Sequence, residues 1–454
     1  MKKFLILAII IVFTMSLLFT GVGCEKETPS AEEESEEVTP AEEEEAAPAE
    51  EETVEMAKIQ LAISPREIGK VLPFLIDDFQ EKNPNIEVEW LKVPGVPDEQ
   101  HTMYVTSLTA QAQQPDVIAV DVVWPGEFIA NGWAYPLNDY FTAEEFEPYL
   151  DGMMNSVTVD GNVYGVPLYT NAIHFFYRKD LLEKYNVEVP KTWEDMSAAA
   201  NLILAEENDP ELNGYISMWA EIEGLFMNYL QFFWGAGGEF FDEQGNVTVN
   251  TAAGEKALQT MVDYIYTEKI APESILTYKP NDAMTLFRQG RAIFMVVQDY
   301  VWPMLNEDDS PVKDQVMMTR VPYFEGYDDA STVCMGGWIL ILNPYSENKE
   351  AAVKLIKHLT TYKAGLEMGV VTGCMPAIEG IENDEVLLEN YPIAKTLYED
   401  FMVGNVRPSA QAGLEYPELS HIMQLEIHAA LTNQKSVEQA LTDAQTSIEE
   451  ILGK

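Results

Sequence analysis

The run Asp116-Val117-Ile118-Ala119-Val120-Asp121-Val122-Val123 constrains this chain most. A short, nearly continuous apolar run suits a strand covered on both faces, the situation of a parallel sheet. The residues before it supply the rest of the unit. Lys58 to Ile63 alternates apolar and polar, and Ile68, Val71, Leu72, Leu75, Ile76 and Phe79 then recur at helical spacing. Asn83-Pro84-Asn85 stops that helix, Ile86 to Val93 reads as a second strand, and a helix over Thr102 to Gln113 leads to the apolar run. Strands alternating with helices predict an α/β sheet. The same grammar restarts later. Thr192, with Asp195 three residues on, caps a helix; Gly214 to Met218 is a short strand; Leu225 to Trp234 is a helix ended by Gly235-Ala236-Gly237-Gly238. Helices over Ala253 to Tyr266 and Asp282 to Gln289 precede strands over Ala292 to Val297 and Val333 to Leu342. Ser346 then caps a helix whose apolar face is Ala352, Leu355, Ile356 and Leu359. The part from Met56 on is too long for one core, so two lobes are expected, with a ligand cleft at the carboxyl ends of the strands.

The first 55 residues follow other rules. Lys2 and Lys3 precede an apolar stretch from Phe4 to Phe19, and Gly21-Val22-Gly23 leads to Cys24. That is the pattern of an export signal over residues 1–23. A cysteine directly after small residues resembles a bacterial lipobox, which implies that Cys24 carries lipid and holds the chain on the outer face of a membrane. Residues 24–55 contain fifteen glutamates and almost no large apolar side chain, the composition of a disordered, self-repelling tether.

From Met56 on, 24 basic residues face 61 acidic ones, a net charge near −37. Nucleic acid is excluded as a partner, because phosphate contacts need a basic face. The five histidines are scattered, no zinc motif occurs, and no metal or cofactor is expected. Cys334 and Cys374 are candidates for a disulfide in an oxidising compartment.

Candidate binding residues cluster at predicted strand ends. Arg66 and Glu67 follow the first strand; Asp121, Trp124 and Glu127 follow the third; Trp219, Glu221 and Glu223 follow Gly214 to Met218. Aromatic rings stack on the apolar faces of sugars, and carboxylates or amides take the hydroxyls. Tyr300 and Trp302 are further ring candidates, while Gly336 and Gly337 would let backbone approach a ligand beside Trp338. Each has a plain alternative: a core ring, an exposed helix start or a β-bulge.

Four stretches carry a family resemblance. They are Asp121-Val122-Val123-Trp124-Pro125-Gly126-Glu127-Phe128, Tyr164-Gly165-Val166-Pro167 with Tyr169-Thr170-Asn171, Glu223-Gly224-Leu225 with Trp234-Gly235-Ala236-Gly237-Gly238, and Gly336-Gly337-Trp338. Together they resemble the extracellular solute-binding proteins of ABC importers, in the sugar-binding group that includes maltose- and trehalose-binding proteins. The resemblance implies the type II two-lobed periplasmic-binding-protein fold with hinge crossings. It places one lobe at 56–168 plus 298–343 and the other at 169–297 plus 344–454. It adds Tyr169 and Asn171 to the candidate site; many relatives carry Asp at the position of Asn171. It implies a monomer that captures a neutral carbohydrate between its lobes and delivers it to a transmembrane permease. The rival readings are a secreted glycoside hydrolase, which needs only two suitably spaced carboxylates, and a lipoprotein that binds a solute other than a sugar.

Overall fold

The computed structural model describes residues 56–453. The export signal, Cys24 and the whole acidic tether therefore lie outside the described residues.

The chain enters as β1 (Ala57–Ile63), helix α1 (Leu72–Lys82) and β2 (Ile86–Lys92). α1 buries Leu72, Leu75, Ile76 and Phe79, the stripe read from the sequence. Helix α2 (Pro97–Thr109) starts at a proline, five residues earlier than the periodicity suggests, and leads to β3 (Val117–Asp121). All five residues of β3 are buried, as the apolar run requires. Helix α3 (Pro125–Ala130) and a small hairpin, β4 (Thr158–Val159) and β5 (Asn162–Val163), precede β6 (Gly165–Arg178). Next come α4 (Trp193–Glu207), β7 (Asn213–Ser217), α5 (Glu223–Gly235), α6 (Ala252–Tyr266) and β8 (Ala292–Gln298). Thr192 caps α4 by accepting from the Asp195 N–H at 3.0 Å. The chain closes with β9 (Val316–Thr319), β10 (Met335–Leu342), α7 (Lys349–Leu359), α8 (Ala394–Phe401), α9 (Tyr416–Leu431) and α10 (Val437–Ile451).

The strands form one eight-stranded mixed sheet in the order β2-β1-β3-β10-β6-β8-β7, with β9 also paired to β6. β1 pairs parallel with β2 and β3, and β7 pairs parallel with β8. β6 joins the two halves of the sheet. Its first part, Gly165 to Ala172, pairs with β10, and its last part, Ile173 to Arg178, pairs with β8 and β9. A single buried strand thus belongs to both halves.

α7 packs on β1, β10 and α1, beside the first half, although it follows Pro344, where the second lobe was expected to resume. Its cap is also not the expected one. Asn348 precedes the helix, while Ser346 donates to Asp116 Oδ1 and accepts from the Asn348 N–H at 3.0 Å. The serine satisfies a buried carboxylate instead of a helix end. α5, α6, α9 and α10 pack together beside the second half. A small separate core, with Ala172, Val333, Met375, Leu387, Tyr391 and Leu397, sits where β6 changes partners.

Candidate functional site

At the end of β1, Ser64 Oγ accepts the Arg66 N–H and opens a short turn of helix. The turn aims Arg66 and Glu67 at each other. Arg66 Nε donates to Glu67 Oε1 at 2.8 Å, and Nη1 donates to the Gly95 carbonyl. Burial works against this guanidinium, but the Glu67 carboxylate prevails and holds it above its ordinary value.

Asp121 ends β3, and Glu223 begins α5 just after β7, where the helix dipole favours a carboxylate. They come from opposite halves of the sheet, and Arg407 joins them. Its Nη1 donates to Glu223 Oε1 at 2.8 Å and its Nη2 to Asp121 Oδ1 at 2.5 Å. The arginine side chain is only 1% exposed, so its charge depends on these partners. Burial opposes that charge, yet Asp121, Tyr416 and Glu223 hold the guanidinium well above its usual value. Burial pushes the Asp121 carboxyl up, Arg407 opposes the shift and the Glu223 charge adds to it. Glu223 also accepts from Tyr416, Ser420 and Gln424 of α9. Its backbone N–H donates to Asp98 of α2 at 3.3 Å, a second link between the halves.

The segment that carries Arg407 is fixed by backbone. Asn405 bonds Val333 and Met335 at 2.9 Å each, which ties it to the start of β10. The turn Gly413–Glu415 rests on α3.

Above this network lies a cavity of about 480 Å³, a size suited to a small organic ligand. One wall holds Arg66, Glu67, Asp121 and Trp338; the other holds Met218, Glu223, Met227 and the turn Lys279–Asp282; Asn171 and Gln298 lie between them. Two glycines shape it. A Cβ on Gly336 would stand 2.6 Å from Asn171 Oδ1, and one on Gly337 would stand 2.7 Å from the Tyr169 carbonyl oxygen.

Eight of the residues singled out in the sequence therefore line one cavity: Arg66, Glu67, Asp121, Asn171, Glu223, Gly336, Gly337 and Trp338. The other seven lie outside its lining. Trp124 is buried behind Trp338, edge-on at 5.8 Å. Glu127 bonds His101 at 2.5 Å. Tyr169 and Tyr300 are 1% exposed in the core, near Arg66 and Glu67. Trp219 is fully buried against Tyr215. Glu221 is half exposed and faces His428 at 3.6 Å. Trp302 packs on Tyr391. Trp338 is thus the sole aromatic residue of the lining. Sequence reasoning missed Arg407 and Gln298. For Arg407 a signal existed: it is the one charged residue between Phe401 and Leu414, an acid-free stretch of a very acidic chain. Gln298 ends a strand that the sequence did reveal.

Cys334 and Cys374 are buried and free, so the anticipated bridge is not formed. Burial pushes the Cys334 thiol up to about 12, which makes it a poor nucleophile. Among the described residues, no cluster of His, Cys, Asp and Glu suits a metal ion, and no helix is long and apolar enough to cross a membrane.

Residues 62–365 match the family described as bacterial extracellular solute-binding protein. A probable ABC transporter-binding protein of Deinococcus radiodurans is 29% identical over 371 residues, 81% of this chain and 87% of that protein. The mannitol-binding protein of Pseudomonas aeruginosa is 22% identical over 392 residues, again 81% and 87% of the two chains. Among solved structures, maltose-bound MalE3 of T. maritima superimposes with a TM-score of 0.83 at 34% identity, covering 87% of this chain and all of that one. These relatives are binding proteins, and their two-lobed architecture is the one seen here. On the match over residues 62–365 and this shared fold, the chain belongs to the bacterial extracellular solute-binding proteins, those that serve ABC transporters.

Proposed function

We propose that this protein captures a neutral carbohydrate, a sugar or a sugar alcohol, in the cavity between the two halves of the sheet. The observation that carries the reading is the charge pairing of the walls. Arg66 is matched by Glu67, and Arg407 by Asp121 and Glu223, so the buried charges of the cavity are paired within the protein, while the exposed turn adds one charge of each sign at Lys279 and Asp282. Polar atoms of Asn171 and Asp121 would meet hydroxyls, while Trp338, Met218 and Met227 supply apolar surface for C–H faces. Names of relatives support the same class: MalE3 is maltose-bound, and the Pseudomonas relative is a mannitol-binding protein.

On this reading the lobes are 56–168 plus 298–343 and 169–297 plus 344–454, with β9 standing in the second and α7 returning to the first. They close on the ligand by a hinge at β6 and β8, and a permease recognises the closed form. Cys24 is the lipid-bearing residue, and the acidic segment behind it is a tether on the outer face of the membrane. The protein acts as a monomer.

Mass spectrometry of ligand carried through native purification tests the proposal. A neutral saccharide or alditol in equimolar amount is expected. An amino acid, a peptide or an organic acid in its place would refute the carbohydrate reading and leave the family intact. Hydrolysis of an added oligosaccharide by the pure protein would favour a glycosidase.

A further inference from the structure

The carboxylates around the cavity are largely committed to protein partners. Both Glu223 oxygens accept from Arg407, Tyr416, Ser420 and Gln424, and Asp121 Oδ1 accepts from Arg407 and from the Val123 N–H. Glu67 Oε1 receives Arg66. Glu223 is therefore a positioning residue: it holds Arg407 and has no free lone pair directed at a ligand.

The uncommitted atoms lie elsewhere. Gln298 Oε1 and Arg407 Nε are buried without a hydrogen-bond partner, and both residues line the cavity. Gln298 is 8% exposed, and it is the one polar residue of β8, whose sequence is AIFMVVQ. It pairs with Ile173 where β6 passes between the halves, at the carboxyl end of a strand parallel to β7. The next two residues repeat the pattern, since Asp299 Oδ1 and the Tyr300 hydroxyl are also buried and unpartnered. Of the three, only Gln298 lines the cavity; Asp299 and Tyr300 lie buried behind it. A buried acceptor without a donor costs about as much as a lost hydrogen bond, so an apolar side chain of equal length would serve folding better. Strand ends of this kind are where α/β sheets meet ligands.

We propose that Gln298 determines ligand specificity: its amide oxygen accepts a hydrogen bond from one hydroxyl of the bound solute. The inference rests on the carbohydrate reading above and names a contact that the charge pairs do not supply. It separates binding from folding. Gln298→Met keeps the length, removes the acceptor and should tighten the unliganded protein.

The test is calorimetry with maltose and D-mannitol as probes, alongside thermal unfolding of the unliganded protein. For whichever probe binds the wild type, Gln298→Met should bind roughly ten- to a hundredfold more weakly. Its unliganded melting temperature should hold or rise by roughly 1–2 °C. One monodeoxy derivative of that probe should lose about tenfold on the wild type and nothing further on the variant, as coupled partners do. If Gln298→Met does not fold, Gln298→Asn, which withdraws the amide by one methylene, reads the same loss. Wild-type affinity in the folded variant, or equal losses for every deoxy derivative on both proteins, would overturn the inference alone. A wild type that binds no neutral saccharide or alditol would overturn the functional reading first.

Discussion

Asp299 shows how one buried side chain ties this fold to pH. It is fully buried behind the cavity, accepts the Ala172 N–H at 3.0 Å and stands 3.6 Å from His174 Nδ1. Burial raises its pKa to about 7, against the pull of His174 and the backbone donors. On the other side of the imidazole, Asp400 lies 3.2 Å from Nε2; burial would raise it, but bonds from His174 and Arg320 hold it below its usual range. Between an unfolded value near 4 and about 7, folded Asp299 keeps a proton that the unfolded chain releases. Its stabilising contribution is therefore present in acid and is lost as pH rises towards 7. Asp299→Asn mimics the protonated form and should flatten that dependence. Urea midpoints at mildly acidic and mildly alkaline pH should differ less in the variant than in wild type, mainly through a gain on the alkaline side. Parallel shifts in both proteins would show that Asp299 is ionised throughout. None of this was readable beforehand, because residues 174, 299, 320 and 400 are distant in sequence and meet only through tertiary packing. For the same reason Trp219 and Trp338 looked equivalent in sequence, although one fills the core and the other lines the cavity.

The elements were legible where their pattern was local. β1, β3 and α1 emerged from periodicity, and the Thr192 cap from its spacing to Asp195. β6 did not, because thirteen of its fourteen residues are buried and carry no alternation, while Thr170, Asn171 and His174 break its apolar run. It takes its shape from two partners supplied by distant sequence. The glycine pair of β10 makes that pairing possible. Gly337 has φ +155°, and its backbone lies against Tyr169 of β6 at the register shift between Trp338 and Ile339. Gly337→Ala would press a methyl onto the Tyr169 carbonyl in a backbone conformation that alanine avoids. A loss of about 1–3 kcal/mol in folding free energy is expected by denaturant titration. A change within about 0.5 kcal/mol would mean that the strand relaxes freely there.

At the scale of the molecule, the charge that ruled out nucleic acid also shapes the site. The body carries a net charge near −37, yet the cavity pairs its buried ions internally, so the long-range field acts on the surface far more than on a neutral ligand. The two halves meet through Arg407, the Asp98 contact and β6, and one solute touching both walls would bind best when they are together. The sequence made the family and the two-part architecture readable because its motifs sit at strand ends. It left the ring contacts unreadable, because stacking depends on which side of a strand end faces the cavity. The most direct test is calorimetry of wild type and Trp338→Ala against a panel of neutral sugars and alditols, at low and at high salt. Wild type should show saturable one-site binding, with an affinity that salt barely changes, and the variant at least a tenfold loss. Absence of binding across the whole panel, or an affinity that collapses with salt, would contradict the carbohydrate reading.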